Sequence, residues 1–152
     1  MTPQRPVGIQ FQAIWFDSGF MELRLSAWNG AFGGTADVCG AIDDFEEAAT
    51  QLRGFPRNPA DRREIILGNF DRKCAGGGVK MRFHCIGGAG HPYVEATIDS
   101  NRKSAGTVQT VVLSMPVEAA AVDAFVQELH RVGATRAGTA FLKGLEQSGT
   151  PE

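Results

Sequence analysis

His84 and Cys85 are neighbours in the chain, and Cys74 and His91 flank them closely. Imidazoles and thiols this near one another are the raw material of a zinc site, which needs three or four ligands converging tetrahedrally. Adjacent residues on a strand point to opposite faces, however, so His84 and Cys85 cannot share an ion without a bulge. Cys85 reads better as a small core residue beside Met81 and Phe83. No metal and no other cofactor is expected.

Nucleophilic chemistry fares no better. Cys39 is the best-placed thiol because it precedes a predicted helix, whose N-terminus would lower its pKa, but the acids Asp43 and Asp44 oppose that effect. His130 falls at the C-terminal end of a second predicted helix, where a cation suits the dipole without catalysis. Gly76-Gly77-Gly78 and Gly87-Gly88-Ala89-Gly90 resemble phosphate loops, but a strand rather than a helix should follow each. Neither Gly-x-Ser-x-Gly nor His-Glu-x-x-His occurs. No catalytic residue is assigned.

Alternating strands supply the more informative pattern. A symmetric Gly87–Pro92 turn would set Ile86 opposite Tyr93, His84 opposite Glu95, Arg82 opposite Thr97 and Lys80 opposite Asp99. In an earlier hairpin Ser26 would face Asp37, with Arg24 one step diagonal. The result is a ladder of opposite charges on a wet sheet face, bordered by the aromatic rings of Trp28 and Tyr93. Solubilising surface pairs are the plain interpretation. The functional one makes Arg24, Trp28, Asp37, Arg82, His84, Tyr93 and Glu95 a candidate binding surface.

These side chains need elements to position them. Ile9 to Phe16 is an apolar run ending at Asp17-Ser18-Gly19. Met21 to Trp28 then alternates, with Leu23 and Leu25 against Glu22 and Arg24, as a half-buried strand does. Asn29-Gly30 opens a turn, and Thr35 to Cys39 can return. From Ala41 to Leu52 the period changes: Ile42, Phe45, Ala49 and Leu52 form a helical stripe, stopped by Gly54 and Pro56. Further strands are predicted at Glu64–Phe70, Val79–Ile86, Tyr93–Asp99 and Thr107–Met115. Pro116 then suits the start of a second helix with Val122, Phe125, Val126, Leu129 and Val132, ending at Gly133. Ala134 to Glu152 reads as a short docking helix or a flexible tail.

The halves can be laid on one another. An offset of 58 superposes Leu23-Arg24-Leu25 on Met81-Arg82-Phe83, and an offset of 80 superposes Ala41-Ile42-Asp43 on Ala121-Val122-Asp123. The expectation is a single α+β domain over 1–152, internally duplicated at about 9–56 and 63–133. Two β-β-β-(β)-α units would form one antiparallel sheet of about seven strands with two helices on one face.

Composition narrows the classes of partner. The 152 residues carry 15 Lys plus Arg against 17 Asp plus Glu, a formal charge of −2, which supplies no field for nucleic acid. Pairs such as Arg62-Arg63, Arg72-Lys73 and Arg102-Lys103 are separated by apolar or Gly-rich residues. No apolar run is long enough for a membrane span or a signal peptide. Three cysteines, an odd number, suit a reduced, cytoplasmic protein. The 19 glycines fit hairpin turns.

The alternating strands at Leu23-Arg24-Leu25 and Met81 to Cys85, the Gly-rich hairpins and the closing Val122–Leu129 helix together resemble small bacterial domain-of-unknown-function proteins. Some of these are similar to immunity proteins of toxin systems. The resemblance implies binding without catalysis and transfers no site residue. The leading expectation is a protein-binding, immunity-like or accessory module, and a homodimer by sheet extension along Ile9 to Phe16 is a second partner expectation. The alternative is a small-molecule binder or small enzyme with a pocket between sheet and helices.

Overall fold

A computed structural model describes residues 5–71, 76–101 and 107–146. Cys74 and the Arg72-Lys73 and Arg102-Lys103 pairs lie outside the described residues. In chain order the elements are β1 (Gly8–Phe16), β2 (Phe20–Trp28), β3 (Gly33–Ala41), α1 (Ile42–Leu52) and β4 (Arg63–Gly68). They continue with β5 (Gly78–Ile86), β6 (His91–Asp99), β7 (Thr110–Pro116), α2 (Ala119–Thr135) and β8 (Thr139–Lys143).

The architecture is α+β, with eight strands in two antiparallel sheets of four, ordered β3-β2-β1-β8 and β4-β5-β6-β7. This corrects the single sheet of about seven strands. Alternation specifies which face of a strand is buried but not which strand lies beside it. After α1 the chain enters β4, which pairs with β5 and leaves β3 as an edge. The eighth strand comes from the supposed tail. Thr139 to Lys143 alternates, with Ala140 and Leu142 buried, and pairs with β1.

The two strand orders match when β1 is equated with β5, β2 with β6, β3 with β7, α1 with α2 and β4 with β8. The strand after each helix therefore completes the other sheet. Register agrees as well: Gly8 stands between Trp28 and Lys143, and Gly78 between Asp99 and Gly68. The 58-residue offset instead lays β2 on β5 and β3 on β6, strands with different places in their sheets. The 80-residue offset does join α1 to α2.

Buried side chains of both sheets and both helices form one apolar cluster. Phe11 of β1 meets Phe125 of α2 at 5.8 Å, and Phe83 of β5 meets Phe55 at 5.6 Å. In α1 the Asp44 carboxylate accepts the Ala41 amide at 3.1 Å; Ala41 has no side-chain acceptor to return the bond. Two helix boundaries differ from expectation. Pro116 closes β7 rather than opening α2, and Gly133 lies inside α2. A Cβ on Gly133 would stand 2.8 Å from Glu46 Cγ, so this glycine permits the close approach of the helices.

Gly77 has a similar role between the sheets. Its N–H donates to Asp37 O of β3 at 2.7 Å, and a Cβ there would collide with Asp99 O. Gly76 to Gly78 is thus a contact seam leading into β5 rather than a simple hairpin turn. Gly87 to Gly90 is a four-residue turn between the paired Ile86 and His91, with positive φ at both ends. Neither glycine run precedes a helix.

Candidate functional site

The seven candidate residues separate onto the two sheets. Arg24, Asp37 and Trp28 lie on the outer face of the first sheet; Arg82, His84, Tyr93 and Glu95 lie on that of the second. The registers also differ from those expected. Arg24 stands directly opposite Asp37, while Arg82 faces Glu95 and His84 faces Tyr93. The short turn closes after Ile86, shifting the expected pairing by two residues. A two-residue slip preserves faces, so the outward set is unchanged while its neighbours are not.

On the first sheet, Arg24 Nε donates to Asp37 Oδ1 at 2.9 Å and Nη2 donates to Oδ2 at 3.3 Å. The Asp37 carboxylate holds the Arg24 guanidinium above its ordinary pKa. Trp28 is capped by the Arg5 guanidinium, 4.7 Å from its ring. A cleft of about 130 Å³ beside them is lined by Pro6, Gln10, Ser26 and Phe141 among others.

On the second sheet, Arg82 lies between Glu64 at 3.2 Å and Glu95 at 3.9 Å, one cation shared by two carboxylates. Tyr93 is flanked by His84 at 6.2 Å and His91 at 5.7 Å between ring centres. Arg62, Arg63, Glu64, Arg82, His84 and Glu95 border a cleft of about 460 Å³. Arg63 is committed elsewhere: it binds both Asp61 oxygens and donates to Gln51 O and Arg53 O.

His84 is on the outer face while Cys85 packs partly against the core, as alternation requires. Among the described residues no group of three or more His, Cys, Asp or Glu side chains converges on a common point. Burial first, then Glu22 and Asp17, pushes the Cys39 thiol up, the reverse of an activated nucleophile. Burial, with Asp61 second, pushes Cys85 up as well. His130 Nδ1 lies 3.8 Å from Glu46 Oε2 across the two helices.

The feature missed by sequence reasoning is the β1–β2 hairpin tip. Trp15, Phe16 and Phe20 are 52, 51 and 54% exposed, with Ile14 beside them. A bulge between Ala13 and Trp15 re-aims this end, setting Trp15 opposite Glu22 on the outer face. Asp17 Oδ1 accepts the Gly19 and Phe20 amides at 2.9 Å each, and those bonds depress its pKa. The signal was present in Ile14-Trp15-Phe16, which breaks alternation just before a turn.

β1 is also not the open edge expected from Ile9 to Phe16. It is paired on both sides from Gly8 to Gln12, and Ala13 N–H adds a bond to Gly138 O. Beyond Ala13 it pairs with β2 only.

Comparison of the chain with family models, with curated proteins and with solved structures returned no match. No helix of the described residues is long and apolar enough to cross a membrane.

Proposed function

We propose that this chain is a non-enzymatic protein-binding module, an accessory or immunity-like factor, engaging its partner through the outer face of the first sheet. The observation that carries the reading is the pair of half-exposed aromatic side chains, Trp15 and Phe20, at one end of that face, with Phe16 exposed at the same tip on the other side. Isolated exposed apolar residues are ordinary, but clustered aromatic ones mark interaction sites. Trp28 and Phe141 border the other end, and Gln10, Gln12, Arg24 and Asp37 occupy the middle. An apolar anchor beside a polar field is the composition of a protein interface.

A photo-crosslinker in place of Gln12 tests this in lysate of the source cell. A polypeptide captured by wild type and lost in the Trp15→Ala/Phe20→Ala double variant supports the reading. Capture indifferent to those substitutions, or no polypeptide captured at all, overturns it.

The 460 Å³ cleft favours a second reading, a small-molecule site. It lies on the outer face of β4-β5-β6, not between sheet and helices, and Arg62 and His84 could orient an anionic group. Thermal shifts with small carboxylates and phosphates, lost in Arg62→Ala, would support it. A melting temperature unmoved by any of them removes it.

A further inference from the structure

Natural sheets seldom leave an edge open, because unpaired backbone groups invite another chain. Three edges here carry an explicit cover. Gly77 N–H donates to Asp37 O of β3, Asn29 Nδ2 donates to Ser114 O of β7 at 3.1 Å, and the Glu128 carboxylate accepts the Phe141 amide of β8 at 2.8 Å. Against that pattern the last residues of β1 differ. Trp15 and Phe16 have β2 on one side, Ile14 is the bulged residue before them, and none of the three has a paired strand on the other side among the described residues. The uncovered backbone and the exposed aromatic groups coincide.

Size and charge indicate what belongs there. A large aromatic side chain has roughly 150–250 Å² to bury, so half-exposed Trp15 and Phe20 together offer on the order of 200 Å² on the outer face. A stable globular interface needs about 800 Å² from each partner. The tip is therefore sized for one strand rather than for a second folded surface.

The surrounding charge is predominantly acidic. Asp17 forms the turn, Glu22 faces Trp15, and the Ile42 amide donates to Gly19 O, bringing α1 with Asp43 and Asp44 to the same end. Arg24, next on the face, is neutralised by Asp37. On the α2 side, Arg131 and Arg136 are outnumbered by these four carboxylates. A second copy would bring the same acids against them, whereas a basic segment would be attracted.

We infer that the open end of β1 is a strand-addition site for an extended segment of a partner polypeptide, with apolar and basic residues alternating along it. The inference rests on the protein-binding reading and names the partner's chemistry. The added strand would extend the first sheet beyond β1 where β8 stops, its backbone pairing with Ile14–Phe16. Its apolar side chains would cover Trp15 and Phe20, and its basic ones would reach Asp17, Glu22 and Asp43.

The probe is a random library of short peptides selected on the full chain, with the binding site mapped by amide NMR shifts. Enrichment of alternating apolar and Lys or Arg residues is expected, with shifts at Ile14 to Phe20. Affinity of the selected peptide should fall about tenfold or more in Trp15→Ala. It should fall similarly in Glu22→Lys/Asp43→Lys and when the peptide backbone is N-methylated. Of those two positions one is half-buried and one exposed, and circular dichroism and the melting temperature check that the fold is kept. Acidic or unpatterned winners, shifts elsewhere, indifference to N-methylation, or self-association of the chain through this end each overturn the inference. Crosslinking through Gln12 can still succeed in any of these cases, so the two failures are distinguishable.

Discussion

The Glu128 carboxylate on α2 accepts a hydrogen bond from the Phe141 backbone amide on β8 at 2.8 Å. Phe141 opposes Gln10 of β1, and its amide points away from that pair, toward the free side of the sheet. A helix side chain thus occupies a position that another strand could otherwise take.

Glu128→Ala should cost about 1–2 kcal/mol, because the lost bond had a charged acceptor and its donor is half-buried. Urea unfolding measures this, and light scattering should show increased self-association. Glu128→Gln retains an oxygen acceptor and should lose less on both counts. Equal behaviour of the two variants would mean that the bond has no part in guarding the edge.

Gly133 presents a conflict between local and tertiary preference. Alanine in a helix interior is favoured over glycine by about 1 kcal/mol. A Cβ here would stand 2.8 Å from Glu46 Cγ and 3.3 Å from the Glu46 backbone nitrogen. Overpacking of this kind costs about 1–3 kcal/mol, so Gly133→Ala should destabilise by up to about 2 kcal/mol net. A variant more stable than wild type by about that 1 kcal/mol, measured by its denaturation midpoint, would show that the helices part without cost.

The same residue shows where sequence reasoning stops. A glycine after an apolar stripe is ordinarily a helix stop, and nothing local reveals that a second helix packs against it. Alternation at Leu23 to Ala27 and Met81 to Cys85 was readable because one face of each strand is buried. Strand neighbours were not, since they depend on where α1 returns the chain. Arg24, Asp37, Arg82 and Glu95 were correctly placed outward, yet a two-residue error in turn length gave them the wrong partners. Ile14, Trp15 and Phe16 escaped notice for the opposite reason: a continuous apolar run reads as buried, and its break in alternation before the turn does not by itself say that a bulge turns it outward.

Cys39 gives a chemical test of the non-enzymatic reading. Its thiol is raised by burial and then by the charges of Glu22 and Asp17, so less thiolate is present at neutral pH than in a free cysteine. With Cys74 and Cys85 replaced by Ser, alkylation by iodoacetamide at pH 7 should be slower than for a cysteine peptide. Glu22→Gln should speed it by removing one of the raising charges. Alkylation faster than the peptide would indicate an activated thiol and count against the binding-only interpretation.

Acid stability should report on the Asp61–Arg63 pair. Asp61 Oδ2 accepts Arg57 N–H at 2.7 Å and Arg63 Nη2 at 2.9 Å, and Oδ1 accepts Arg63 Nε at 3.0 Å. Arg63 lowers the carboxyl below its ordinary 3.8; burial opposes this and the Arg57 amide assists it. Because the folded pKa is the lower one, the unfolded chain binds a proton that the fold resists. The stabilisation is complete above the unfolded value of about 3.9 and is lost as pH falls through the folded one. Asp17, depressed by the Gly19 and Phe20 amides, acts in the same direction. Asp61→Asn should cost about 1–2 kcal/mol near neutral pH, the worth of hydrogen bonds to a charged group. It should also make the decline below about pH 4 shallower, leaving the share that belongs to Asp17. Urea midpoints measured from neutral to acid pH decide it: an acid limb as steep in Asp61→Asn as in wild type would mean that other carboxylates govern acid unfolding.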